Sequence, residues 1–122
     1  PEYFSKETLT DKTMRFFASE IIREKILLHY QKEIPYSVEV EIEEYKESKK
    51  LDSIRAIIYV SRESQKSIVI GHQGKMLKRV GTEARIDLEK FLDKKVFLEM
   101  FVKVDPDWRD NDNKLKRFGY MQ

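Results

Sequence analysis

Three of the four glycines in this 122-residue chain fall within one stretch, VIGHQGKMLKRVG, from Val69 to Gly81. Gly71 and Gly74 flank a two-residue gap, His72-Gln73, at positions that tolerate left-handed dihedrals and close approach. A helical apolar pattern begins directly after them. A short segment, Glu63 to Ile70, must therefore end at Gly71, and a longer helix must start near Lys75 and run to about Leu92. In that longer helix Leu77, Gly81, Ala84, Leu88 and Phe91 share one face, with Val80 beside them. Lys75, Lys78, Arg79, Thr82 and Arg85 take the opposite face. A helix-interior glycine costs roughly 1 kcal/mol relative to alanine, so close backbone packing is the reason expected for Gly81 on the apolar stripe.

The front of this helix places cations where the macrodipole is already positive. Lys75, Lys78 and Arg79 each cost roughly 0.3–1 kcal/mol there at low salt. The arrangement becomes favourable when an anion docks, because free amides, dipole and side chains then act together. A competing reading makes Gly71 the C-cap of the short helix, Gly74 a turn residue and the lysines a solvated face.

The rest of the chain supplies the frame. Residues 1–10 read as a polar lead-in. A helix is expected from about Asp11, capped by Thr8 or Thr10, with Met14, Phe17, Ala18, Ile21 and Leu28 at helical spacing and Pro35 ending the pattern. YSVEVEIEEY alternates Val38, Val40 and Ile42 against Glu39, Glu41 and Glu43, the pattern of a half-buried strand with an acidic outer face. KESKKLDS is a polar turn, and SIRAIIYV is a second strand that makes an antiparallel hairpin with the first. KVFLEMFVKV is a third strand, closed by Asp105-Pro106, and the tail 105–122 carries a short helix near Leu115. The order is α-β-β-α-α-β, an α+β fold whose three-stranded sheet is covered by helices on one face, with a single core spanning 11–104.

Cysteine is absent, which removes disulfides and thiolate chemistry and fits a reducing cytoplasm. No apolar run is long enough to cross a bilayer, and no signal-peptide pattern opens the chain. Because residue 1 is Pro1 and not methionine, the chain reads as a piece of something longer. Its formal charge of +2 conceals 24 basic and 22 acidic residues that are unevenly distributed. Between Arg62 and Arg85 stand Arg62, Lys66, Lys75, Lys78, Arg79 and Arg85 against only Glu63 and Glu83. Glu39, Glu41, Glu43, Glu44, Glu47 and Asp52 gather instead on the first strand and its turn. An extended anionic polymer matches this polarity.

VIGHQGKML resembles the V-I-G-x-x-G-x-x-[IL] signature of KH domains, single-stranded nucleic-acid binders whose GXXG loop clamps a short run of backbone nucleotides. The α-β-β-α-α-β order is similar to the type II form of that fold. RFFASEIIREKIL, EIPYSVEVEIE and VKVDPDWRD…LKRFGY further resemble the C-terminal domain of the Era GTPases, so the likeness extends from Asp11 to Tyr120. It implies a parent with a GTP-binding domain preceding residues 1–10, and single-stranded RNA as partner, specifically the 3′ end of small-subunit ribosomal RNA during 30S assembly. Peripheral contact with the inner membrane is implied by the family alone.

Carried over by position, the loop is Gly71-His72-Gln73-Gly74, followed by Lys75. Ile68, Val69 and Ile70, with Met76 and Leu77, form or back an apolar groove for bases. Lys78 and Arg79 supply charge, with Lys66 and Arg62 at the rim. His72 and Gln73 are uncharged where family members often carry a loop lysine, so the clamp depends on backbone amides and Lys75. A rival reading keeps the chain as a protein–protein docking module, contacting a GTPase domain or ribosomal proteins, with a non-functional loop.

Other chemistry finds no support. A P-loop needs glycine five residues after its first glycine, and Met76 and Arg79 stand there, so no GTP hydrolysis is expected of this chain. An EF-hand counted from Asp105 fails at Arg109 and Asp110. His29 and His72 are the only histidines and lack partners for zinc or hydrolytic work; no cofactor is called for. His29 suits the end of the first helix, and His72 either meets a nucleotide or faces water. Trp108 and Tyr120 are expected to pack the tail onto the domain. Tyr59 and Arg55 either border the groove or lie exposed.

Overall fold

The computed structural model describes residues 10–107. The lead-in before Thr10, the tail helix near Leu115 and the packing of Trp108 and Tyr120 lie outside the described residues. The elements are α1 (Asp11–His29), β1 (Glu39–Lys46), β2 (Leu51–Val60), α2 (Glu63–Ile70), α3 (Lys75–Leu92) and β3 (Lys95–Val104).

Alternation in the three strands produces one sheet, ordered β1-β2-β3. The short polar turn lets β1 and β2 pair antiparallel, with Val40 opposite Ile58 and Ile42 opposite Ala56. A bulge follows Ile42 and turns Tyr45 inward opposite Ile54. β3 returns through α2 and α3 and pairs parallel with β2, Ile54 opposite Leu98 and Ile58 opposite Val102. Mixed pairing of this kind, with helices on one face, is the type II KH arrangement the order α-β-β-α-α-β implied.

Thr10 caps α1, its hydroxyl accepting from the Thr13 amide at 3.1 Å. The buried stripe of α1 is Met14, Ala18, Ile22 and Ile26, a strict i+4 row. This corrects the sequence reading: Leu28 is 66% exposed and Phe17 flanks the stripe, its ring tilted 45° to that of Phe91 of α3 with centroids 5.1 Å apart. The helix also ends before Pro35, at His29, and Lys32 takes a positive φ in the connection. Val69, Val80, Ala84 and Leu88 from α2 and α3 complete the core over Ile54, Ala56, Ile58, Val96 and Val102.

Glu39 and Asp52 depart from the expected acidic outer face, since both are buried. Arg23 of α1 donates to the Glu39 carboxylate, and the Val40 amide donates to it at 3.0 Å. Burial outweighs these donors and pushes the Glu39 carboxyl above its usual range. Asp52 accepts from the Tyr45 hydroxyl at 2.6 Å and faces Lys94 Nζ at 2.8 Å. Burial, with Asp52 beside it, pushes the Tyr45 phenol far up. Two of the six acids gathered on the first hairpin are thus internal ion-pair partners, and the outward acidic charge is correspondingly smaller.

Candidate nucleic-acid interface

The loop between α2 and α3 is built from three positive-φ residues. Gly71 ends α2 at φ 77°, ψ 174°, its amide donating to Ser67 O at 2.9 Å. Gln73 sits at φ 56° and Gly74 at φ 74°, ψ 11°. The Gly74 amide donates to Gly71 O at 3.1 Å and closes the turn. The two glycines serve different ends. A Cβ on Gly71 would lie 2.7 Å from Met76 Cβ and Cγ, so the loop folds back on α3 only because that atom is missing. A Cβ on Gly74 would meet nothing within 4 Å among the described residues. Gly71 is thus a C-cap, as the competing reading held, while Gly74 fronts open space at the start of α3.

Among the described residues no side chain caps the N-terminus of α3, and no acidic residue stands in its first turn. Amides and dipole there face outward beside Lys75 and Lys78, which enter no ion pair among the described residues. Arg79 stands 3.5 Å from Glu83 and Arg85 stands 3.1 Å from Glu89. Glu83 is held below the usual carboxylate range, first by its 2.7 Å hydrogen bond to His29 and then by Arg79. Glu89 is held down by the Val96 amide at 3.0 Å and then by Arg85.

From the loop a groove of about 330 Å³ runs between α3 and β3. Gly74 lines it from the loop, Leu77, Lys78, Gly81, Thr82 and Arg85 from α3, and Leu98 and Met100 from β3. Leu98 and Met100 reach it because even-numbered residues of β3 face the helices. The lining follows the border between the apolar and basic faces of α3, so one wall is greasy and the other cationic. Gly81 is half-buried here, and among the described residues only Met100, with Cε at 3.7 Å and Sδ at 4.0 Å, comes near the position of a Cβ. Close backbone packing therefore does not account for it, contrary to the sequence expectation.

Gly74 and Lys78 line the groove; His72, Gln73, Lys75 and Arg79 are exposed but are not among its lining residues, and Arg79 points toward Glu83, the partner of His29 on α1. Val69 is fully buried, and its carbonyl accepts from the Tyr30 hydroxyl, so it backs the loop from the core and offers a ligand no side-chain contact. Burial pushes the Tyr30 phenol up to about 12. Ile68 is exposed and Ile70 half-buried at the end of α2, outside the groove. Arg62 is the N-cap of α2, at the far end of that helix from the loop, and Lys66 lies between. Sequence reasoning missed Gly81, Thr82, Arg85, Leu98 and Met100 as groove residues. The alternation of LEMFV carried a signal for the last two, but only the sheet order places that face against α3.

Tyr59 and Arg55 lie on the sheet face away from the helices. The Tyr59 hydroxyl bonds Glu41 at 2.9 Å, and Arg55 pairs with Glu43 and Glu99. No cluster of potential metal ligands occurs among the described residues, and none of their helices is long and apolar enough to cross a membrane.

A paired-helix crossover with a two-glycine turn, set beside a groove on a mixed sheet, defines a class, and residues 33–109 match the family model described as the KH domain. The chain belongs to the KH domain family, in the form carried by the Era GTPases. It is 51% identical to the GTPase Era of Syntrophus aciditrophicus, over 100% of this chain and 40% of that protein. It is 53% identical to that of Geotalea uraniireducens, over 98% and 41%. An Aquifex aeolicus Era variant bound to GDP and aluminium fluoride superposes with a TM-score of 0.86 at 39% identity, over 100% of this chain and 42% of that one. A structure of Era with MgGDPNP and nucleotides 1506–1542 of 16S ribosomal RNA gives 0.86 at 38%, over 100% and 41%. The chain thus spans about two fifths of the length of these relatives, and no GTPase domain lies within it.

Proposed function

We propose that this domain binds single-stranded RNA without catalysis, and that its target is the 3′ end of small-subunit ribosomal RNA during 30S assembly. The observation that carries the reading is the open space at Gly74, bounded by the uncapped start of α3 and by Lys75 and Lys78. A phosphate entering that space meets amides, dipole and two cations that no carboxylate among the described residues neutralises. The adjoining groove receives bases, and because phosphate contacts carry no sequence, discrimination falls to its walls. The ribosomal target rests on the relative whose structure holds 16S rRNA nucleotides.

In the parent chain the unit 11–104 would follow a GTPase domain through residues 1–10, carry 105–122 as a tail and work in the cytoplasm. Any membrane contact would be peripheral.

Fluorescence anisotropy with a short pyrimidine-rich RNA, at two salt concentrations, tests this. Three phosphates held by the loop give a log–log salt slope near roughly −2. The His72→Asp/Gln73→Asp variant should fold and lose that binding. Equal binding by both proteins, or none by either, would remove the loop from the mechanism and leave a docking module.

A further inference from the structure

The two arginines on the basic face of α3 are paired, but to carboxylates held in different ways. Arg85 stands 3.1 Å from Glu89 Oε1, and Glu89 Oε2 accepts from the Val96 amide, a donor whose charge never changes. Arg79 stands 3.5 Å from Glu83 Oε2, and Glu83 Oε1 bonds His29 Nε2 at 2.7 Å. The second hold on Glu83 thus comes from another element, the last turn of α1. It is also an imidazole, the side chain whose charge ordinarily changes between about pH 5 and 8.

Exposure rises along the trio, from 12% at His29 through 37% at Glu83 to 61% at Arg79. The arginine meets solvent while the imidazole is sheltered at the seam between α1 and α3. The neighbouring charges already have partners. One turn back along the seam, Lys25 of α1 reaches Asp87 of α3 at 2.5 Å and Glu24 at 3.1 Å. Toward β1, Glu39 is engaged by Arg23.

We propose that His29, Glu83 and Arg79 form a relay in which protonation of His29 frees Arg79 to meet an RNA phosphate. With neutral His29 the carboxylate charge belongs to Arg79, and the trio is neutral as a whole. With protonated His29, Glu83 lies between two cations and stays paired when Arg79 swings outward. The trio then presents one net positive charge about one turn beyond Lys75 on α3. Glu83, held below the usual carboxylate range, stays ionised throughout. RNA binding therefore takes up a proton, and affinity rises as pH falls. This relay rests on the RNA-binding reading and adds to it the regulation of one cation.

The chain holds one other histidine, His72 in the loop, so the test is run in a His72→Gln background. Anisotropy with the short pyrimidine-rich RNA is followed from about pH 8 to about pH 5.5. In His72→Gln, affinity should rise about two- to fivefold as pH falls, the worth of one exposed ion pair. The log–log salt slope should steepen by roughly 0.7 over the same range. Adding His29→Gln, which keeps a donor for Glu83 but takes no proton, should abolish the rise and leave binding at the alkaline end unchanged. Adding Glu83→Gln should give the tighter binding at the alkaline end already, with no further rise. A flat profile in His72→Gln, a rise that survives His29→Gln, or no tightening by Glu83→Gln would each overturn the relay and leave the loop clamp intact. Failure of the wild type to bind the RNA at any pH would instead remove the functional reading itself, and the relay with it.

Discussion

Gly71 and Gly74 look equivalent in the motif, yet the structure assigns them opposite sensitivities. Alanine at Gly71 must adopt φ 77°, ψ 174°, a region essentially restricted to glycine, and must also enter 2.7 Å from Met76 Cβ and Cγ. Strain of about 1–3 kcal/mol from the dihedral and a similar amount from overpacking give about 4 kcal/mol of destabilisation. Met76 Cβ cannot swing away, because it is fixed to the first turn of α3. Alanine at Gly74 needs only φ 74°, ψ 11°, with nothing within 4 Å, so about 1–2 kcal/mol is expected. A domain of this size holds about 5–15 kcal/mol in total. Urea unfolding followed by circular dichroism should therefore show a large fall in midpoint for Gly71→Ala and a small one for Gly74→Ala. RNA anisotropy should reverse the emphasis: folded Gly74→Ala should lose most binding, because its methyl fills the space a phosphate needs. Equal midpoints for the two variants, or wild-type binding by Gly74→Ala, would refute this division of labour.

Leu28→Gln should change stability by less than about 0.5 kcal/mol, whereas Ile22→Ala should cost about 2–5 kcal/mol by denaturant titration. Lys94→Met leaves the buried Asp52 carboxylate with the Tyr45 hydroxyl alone and should cost about 3 kcal/mol, measured the same way. Glu89, whose pKa is depressed in the fold, contributes stability that is present above its unfolded value of about 4.3 and lost as pH falls through the lower folded value. Stability measured from pH 6 down to 3 should accordingly decline less steeply in Glu89→Gln than in the wild type.

Much of the fold was legible because local patterns agreed with it. KVFLEMFVKV alternates cleanly between a turn and Asp105-Pro106, and β3 occupies those residues, Lys95–Val104. The helical spacing after Gly74 likewise matches α3. In α1, several apolar residues compete for the buried row; Ile22 and Ile26 win over Leu28 because the sheet lies on their side, which periodicity alone cannot tell. Glu39 read as solvent-facing, and only the approach of Arg23 from α1 shows why a carboxylate can be internal there. The candidate loop was visible as a motif, but the groove was not. Its second wall comes from β3, and placing Leu98 and Met100 beside Gly81 requires knowing that β3 pairs with β2 and returns along α3.

The parallel pairing of β3 with β2 also bears on how the molecule assembles. The β1–β2 hairpin joins neighbours in sequence, whereas Ile54 must find Leu98 after α2, the glycine loop and α3 have been threaded between them. Local hairpins close in about microseconds, while non-local pairing waits on loop-closure entropy. The turn at Gly71–Gly74 is the midpoint of that crossover, and its shape is demanded only when both helices dock. Strain introduced there should then hasten unfolding and leave the folding rate nearly unchanged, which a chevron of Gly74→Ala would reveal. A matching drop in the folding arm would mean that the turn is already formed in the transition state. In the first case the glycine loop can vary in sequence without slowing the route by which the domain folds.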